Sequence, residues 1–153
     1  MSRRGDRVAI RNRKARYDYL VLESFECGIV LAGAEVKSIR DGHANLQDGY
    51  ARVEGGEVWL YGMHVSPYAF SRLELDPVRP RKLLLHRRQI DELERATAEK
   101  GVTLVPLSVY FKDGRAKVEL AVARGKRQYD KRRAIAERDA KREAERALKG
   151  DRE

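Results

Sequence analysis

Residues 123–133 read ARGKRQYDKRR: six of the eleven are Lys or Arg, one is Tyr, and none is a large aliphatic side chain. Lys and Arg neutralise phosphates and release their counterions. Tyr129, between two basic clusters, offers a flat face on which an unpaired base can stack, worth about 1–3 kcal/mol per base. Cations interleaved with an aromatic ring are the residue types of a single-stranded or distorted RNA site. Gly125 lets the chain turn away from whatever precedes it. The plainer reading of the same run is a solvated charge stretch. Glu26 carries a different chemistry. Phosphate repels a carboxylate, so beside a polyanion Glu26 is useful only as an acceptor for a base edge or a sugar hydroxyl. On pattern alone, an ordinary exposed strand position is the simpler account of it.

Other chemistries find little support. Arg124-Gly125-Lys126 imitates the end of a phosphate-binding loop, but the earlier Gly is missing and Arg127 stands where Ser or Thr belongs. His43, His64 and His86 are far apart, with no H-x-x-x-H or C-x-x-C spacing, so no zinc site is signalled. No G-x-S-x-G elbow or nucleophile–base pair can be read. Among 24 carboxylates some acidic pair will meet by chance, which is a weak case for a metal nuclease. The chain therefore reads as a binding protein with no catalytic residues, no metal and no cofactor.

The elements that must position these residues follow from charge and periodicity. The 153 residues fit one domain plus an extension. The net charge of +9 sits at the ends: residues 1–16 carry net +6, residues 17–123 net −2 and residues 124–153 net +5. A near-neutral body with two basic ends is the footprint of a nucleic-acid binder. An anionic membrane is the rival target, but the ends lack an apolar face. The longest apolar stretch, Gly28 to Ala34, is too short to span a bilayer, and no apolar segment backs the charged N-terminus as a secretory signal would require. The lone Cys27 allows no internal disulfide, fits a reducing cytoplasm and reads as a small buried hydrophobe.

Residues 1–16 show no apolar periodicity and are expected to form a basic flexible arm. Residues 17–31 predict a long strand, bent by a bulge near Gly28. AEVKSIRDG predicts a two-turn helix closed by Gly42. Residues 50–65 predict a hairpin turning at Gly55-Gly56. Residues 66–82 hold three of the four prolines and predict a crossing loop. Residues 83–100 predict a helix ending at Gly101. Val102–Phe111 and Arg115–Ala123 flank Asp113-Gly114, a two-residue primed turn, and in the second strand Val118, Leu120 and Val122 alternate with residues expected to face solvent. The fold class is mainly β with short helices: an antiparallel, oligonucleotide-binding-like β-barrel over 17–124, of five or six strands and one main helix. Residues 125–153 form a basic tail of good helix formers in which Ile135 and Leu148 are the only large apolar side chains. A helix that is polar all round has no face to bury. The tail is expected to be disordered when free and helical on a partner, the other reading being a permanently formed solvated helix.

These stretches together resemble one known family. NRKARYDY at 12–19, FECGIVLAGAEVKSIRDGHANLQDGY at 25–50, RKLLLH at 81–86 and LSVYFKDGRAKVELAVARGKRQYDKR at 107–132 are similar to the small protein B family, the SsrA-binding proteins of bacteria. The resemblance covers nearly all of residues 12–132. It implies a barrel that grips the tRNA-like domain of transfer-messenger RNA and enters stalled ribosomes lacking a codon in the decoding site. It also implies no catalytic activity, a cytoplasmic monomer, and the ribosome and elongation factor Tu with aminoacylated transfer-messenger RNA as partners. RNA-binding positions implied by the family are Asn12, Arg13, Lys14 and Arg16 near the N-terminus, Glu26 in the FEAG-type motif, Leu84 and Lys117. The family's GKK-x-(Y/H)-DKR motif falls on Gly125, Lys126, Arg127, Tyr129, Asp130, Lys131 and Arg132, which would work in the decoding centre and the empty messenger channel. Arg127 replaces the more usual Lys, and Arg also stacks and forks. Two readings compete with this one: a general ribosomal or single-strand RNA-binding barrel with no dedicated partner, and an RNA-processing enzyme using scattered carboxylates.

Overall fold

A computed structural model describes residues 7–69, 75–126, 138, 140–144 and 146. The order of elements is β1 (Arg7–Arg11), α1 (Arg13–Asp18), β2 (Tyr19–Ile29), α2 (Gly33–Arg40), β3 (Ala44–Asn45), β4 (Tyr50–Glu54), β5 (Glu57–Tyr61), β6 (His64–Val65), β7 (Arg81–Leu84), α3 (Arg87–Thr97), β8 (Val102–Lys112) and β9 (Arg115–Gly125). The main sheet runs β1-β8-β4-β5-β7-β2-β9, all antiparallel where paired, and β9 also pairs with β8. That last pairing closes six strands into a barrel, which removes the sheet's open edges. β3 and β6 form a separate two-stranded ribbon.

The β8–β9 hairpin forms as its sequence predicts. Asp113 (φ 53°) and Gly114 (φ 76°) both take positive φ, as a type I′ turn requires. Val118, Leu120 and Val122 point into the core with Cys27, Val58, Leu60, Leu104 and Val109. Leu93 of α3 is fully buried in the same cluster, and burying one such side chain is worth about 1.5–3 kcal/mol. The Gly55-Gly56 hairpin joins β4 and β5, and α2 ends at Arg40 with Gly42 just beyond.

Four expectations are corrected. First, residues 7–16 are not a loose arm: β1 pairs with β8 from Arg7–Phe111 to Arg11–Ser108, and α1 follows. Ile10 and Ala15 are buried, one apolar anchor in each short element, too sparse to register as periodicity. Second, the irregularity in β2 lies between Val21 and Glu23 rather than at Gly28. Third, residues 81–84 form a strand, not the end of a crossing loop followed by the start of a helix. Their burial alternates, with Arg81 and Leu83 in and Leu84 out, and Leu83 pairs with both Val58 and Ile29. A run of three leucines carries no period of its own. Fourth, the outer face of β8 and β9 is only partly solvated. Val105, Leu107, Ala121 and Ala123 form a second apolar cluster under Ala15 of α1.

Asn12 fixes α1 to that cluster. Its Oδ1 accepts from the Ala15 N–H (3.0 Å), and its Nδ2 donates to the carbonyls of Leu46 and Pro106 (2.9 Å each). A six-residue helix has too few internal bonds to hold alone. This buried side chain ties it to two segments 34 and 94 residues away.

A buried ion cluster fixes α2. Glu35 accepts from Arg81 Nε (2.8 Å), from Arg79 Nε (3.2 Å) and from the Ala32 N–H (2.9 Å). Arg81, almost wholly buried, also donates to the carbonyls of Met63 (2.8 Å) and Pro77 (3.1 Å). Burial opposes the charge on Glu35, but the hydrogen bonds from Arg79, Ala32 and Arg81 outweigh it and hold the carboxyl below its usual range. Beyond the barrel, residues 138, 140–144 and 146 are helical and exposed, as a helix without a face to bury must be.

Candidate nucleic-acid interface

Antiparallel pairing places register partners on the same face of a sheet. Tyr110 pairs with Lys117, Lys117 with Gly28, and Gly28 with Leu84. Four strands therefore present a transverse row on the outside of the barrel, which Val8 of β1 extends opposite Tyr110. The adjacent row is Arg11, Ser108, Glu119 and Glu26. Three residues spread over 91 positions, Glu26, Leu84 and Lys117, thus share one outer face.

Glu26 is held from a diagonal neighbour. The Tyr110 hydroxyl donates to its Oε2 at 2.6 Å, and Lys112 Nζ stands 3.5 Å from the same oxygen. The Tyr110 hydrogen bond, with the nearby Lys112 and Lys117, outweighs partial desolvation and keeps the carboxyl below its ordinary value. Burial and the Glu26 carboxylate push the Tyr110 phenol upward, so it remains a donor. Oε2 is thereby occupied, while Oε1 has no hydrogen-bond partner among the described residues.

Leu84 supplies the apolar part. It is 51% exposed, unusual for a leucine on a barrel strand. Gly28 makes room for it: a Cβ at position 28 would lie 3.2 Å from the Leu84 Cβ. The face as a whole is an acceptor aimed by a phenol, beside an exposed apolar side chain and framed by Lys112, Lys117 and Arg11. Such a surface can stack a base, accept from its edge or from a 2′-hydroxyl, and neutralise the flanking phosphates.

The α1 residues lie at the border of this face. Arg13, Lys14 and Arg16 are exposed, and the Arg16 guanidinium is 3.7 Å from Glu119. Asn12 differs from them: it is 3% exposed, and its amide is committed to the internal bonds described above. Gly125 ends β9 opposite Tyr19, and Lys126 Nζ donates to the Arg16 carbonyl at 3.2 Å. Arg127, Tyr129, Asp130, Lys131 and Arg132 lie outside the described residues. Lys117 and Gly125 are eight residues apart on one strand, or about 27 Å.

Sequence reasoning missed Tyr110 and Lys112. They lie 84 and 86 residues from Glu26, and only the closed barrel brings them to it. Cys27, beside Glu26, is fully buried, and burial pushes its thiol to about 12, so it behaves as the expected inert hydrophobe. Among the described residues no group of three His, Cys, Asp or Glu side chains converges as metal donors, and no helix is long and apolar enough to cross a membrane.

Residues 9–150 match the SmpB protein family. The chain belongs to that family. It is 56% identical to the SsrA-binding protein of Desulforudis audaxviator, over 98% of this chain and 99% of that one. It is also 56% identical to the SsrA-binding protein of Thermobifida fusca, over 95% and 91%. Among solved structures, a chain described under "tmRNA-SmpB: a journey to the center of the bacterial ribosome" is 47% identical and superposes with a TM-score of 0.66, covering 76% of this chain and 82% of that chain. The likeness extends to the barrel as well as the sequence, so the mainly β architecture is that of SmpB.

Proposed function

We propose that this SmpB-family chain is an RNA-binding adaptor: it captures the tRNA-like domain of transfer-messenger RNA and carries it to stalled ribosomes for trans-translation. It acts in the cytoplasm as a monomer and performs no chemistry of its own. The observation that carries this reading is the ionised Glu26 on the outer face, aimed by Tyr110 and surrounded by cations. A carboxylate in that position repels phosphate, so the surface is built to read a base or a ribose as well as a backbone. That suits a folded RNA with exposed loop bases better than an arbitrary single strand. Glu26, Leu84 and Lys117 contact the RNA, and Arg13, Lys14 and Arg16 hold its phosphates. Asn12 contributes from inside the protein by holding α1 in place.

The tail has the second task. Gly125, Lys126, Arg127, Tyr129, Asp130, Lys131 and Arg132 engage the decoding centre, and the residues beyond them follow the empty messenger channel. A helix from Asp130 to Lys149 would be about 30 Å long, enough to lie along such a path. Elongation factor Tu, bound to aminoacylated transfer-messenger RNA, arrives with the complex.

Deleting residues 126–153 tests this division. The truncated chain keeps its affinity for the tRNA-like RNA and fails to relieve stalled ribosomes. A loss of RNA affinity greater than about 1.4 kcal/mol, tenfold, would show that the barrel does not capture RNA unaided and would overturn the reading.

A further inference from the structure

A recess lies between α1, the turn that precedes β4, and β8. It is a groove of about 370 Å³, near the lower end of the size range of small-ligand sites. Lys14, Asp18 and Tyr19, then Gln47, Asp48 and Tyr50, and Thr103 line it. Its walls come from three separate parts of the chain, and Asn12 locks them together through its bonds to Ala15, Leu46 and Pro106. Gly49 closes the turn tightly: a Cβ there would fall 2.8 Å from Pro106 Cγ, so the groove is lined at that point by backbone alone. The recess is therefore a fixed feature of the fold.

Among the described residues, Lys14, Asp18, Gln47, Asp48 and Thr103 make no side-chain hydrogen bond or ion pair, in contrast to the fully committed Asn12 beside them. Two carboxylates, an amide and a hydroxyl line the slot together with Tyr19 and Tyr50, whose ring stacks on Tyr61 (centroids 5.5 Å apart) under the Arg52 guanidinium, and the exposed Lys14 of α1 is the cation among the lining residues. Carboxylates exclude a phosphate from the interior of the slot, while Lys14 favours one at the rim. A nucleotide meets both conditions when its base enters and its phosphate stays outside. Carboxylate acceptors favour a base bearing an exocyclic amine, as aspartate and glutamate do with cytosine N4.

We propose that this groove is a nucleobase site, selective for an amino-bearing base over uracil, which takes one unpaired nucleotide of an RNA held by α1. The proposal rests on the RNA-binding reading above and adds to it a second contact point, distinct from the Glu26 face.

Titration of the ¹⁵N-labelled full chain with CMP and with UMP, followed by amide NMR, tests it. CMP is expected to shift the Gly49, Tyr50 and Thr103 amides saturably, with an affinity at least about tenfold above that of UMP, as one hydrogen bond to a charged group supports. The double variant Asp18→Asn/Asp48→Asn, on exposed positions, should remove that difference. Equal shifts with both nucleotides, shifts confined to α1, or no shift at all would overturn the site. Binding of the tRNA-like RNA is measured on the same sample. If it persists when the groove amides do not move, only the groove falls; if the RNA itself does not bind, the adaptor reading falls.

Discussion

Two glutamates nine residues apart are held by different means, one inside the fold and one on its outer face. Glu35 is 5% exposed, paired with Arg79 and Arg81, and joins α2 to the segment entering β7. Glu26 is 42% exposed and held by a phenol and a lysine, with an oxygen left over. Both carboxyls sit below their ordinary value. In Glu35 the cause is a set of donors strong enough to overcome burial. In Glu26 it is a single short hydrogen bond in a partly wet, cationic surrounding. The buried group is satisfied within the protein, so its loss is a loss of fold. The exposed group is oriented at the surface, so under the proposed function its loss is expected to cost recognition rather than fold.

The sharpest way to break this contrast is at the buried end. Arg81→Ala leaves Glu35 charged and poorly paired, and should cost about 3–5 kcal/mol of stability, read by denaturant unfolding. The same cluster gives a signed pH dependence. Because folding lowers the Glu35 carboxyl below its ordinary 4.5, its contribution is complete above that pH and is lost as pH falls through the lowered folded value. Acid titration of Glu35→Gln by circular dichroism should show that this component is gone. On the outer face, Lys117→Glu should weaken tRNA-like RNA binding by at least about tenfold and reduce the slope of log affinity against log salt by about one. Its unfolding free energy should stay within about 0.5 kcal/mol of the parent. The smallest effect is expected from Tyr110→Phe. Removing one hydrogen bond should cost RNA binding about 0.5–1.5 kcal/mol and let the Glu26 carboxyl rise. The acid limit of RNA binding, read by fluorescence anisotropy, should then move to higher pH.

The same contrast explains what was legible in the sequence. The Asp113-Gly114 hairpin, the Gly55-Gly56 hairpin and α2 were readable because local rules determine them: positive φ at a turn, strand alternation, a helix closed by Gly42. β1 and β7 were not. Each is a strand of four or five residues whose conformation comes from its neighbours, β8 for one, β5 and β2 for the other. Leu83 and Leu84 look alike in sequence, yet one is in the core and the other is exposed on the outer face. The chemistry of Glu26 and the family resemblance both point to it in the sequence. The device that orients it was invisible, since Tyr110 reaches it only across β9 in the folded barrel. In sequence Asn12 reads with the cations of its own stretch, and burial separates it from them.

Under the proposed function the outer face of the barrel recognises RNA through a carboxylate the fold does not need. The most direct test is the affinity of the full-length Glu26→Ala chain for the tRNA-like RNA, measured beside its thermal unfolding. The account predicts binding weakened by at least about tenfold, or 1.4 kcal/mol, with the unfolding midpoint unchanged. Undiminished affinity in a folded Glu26→Ala chain would contradict it.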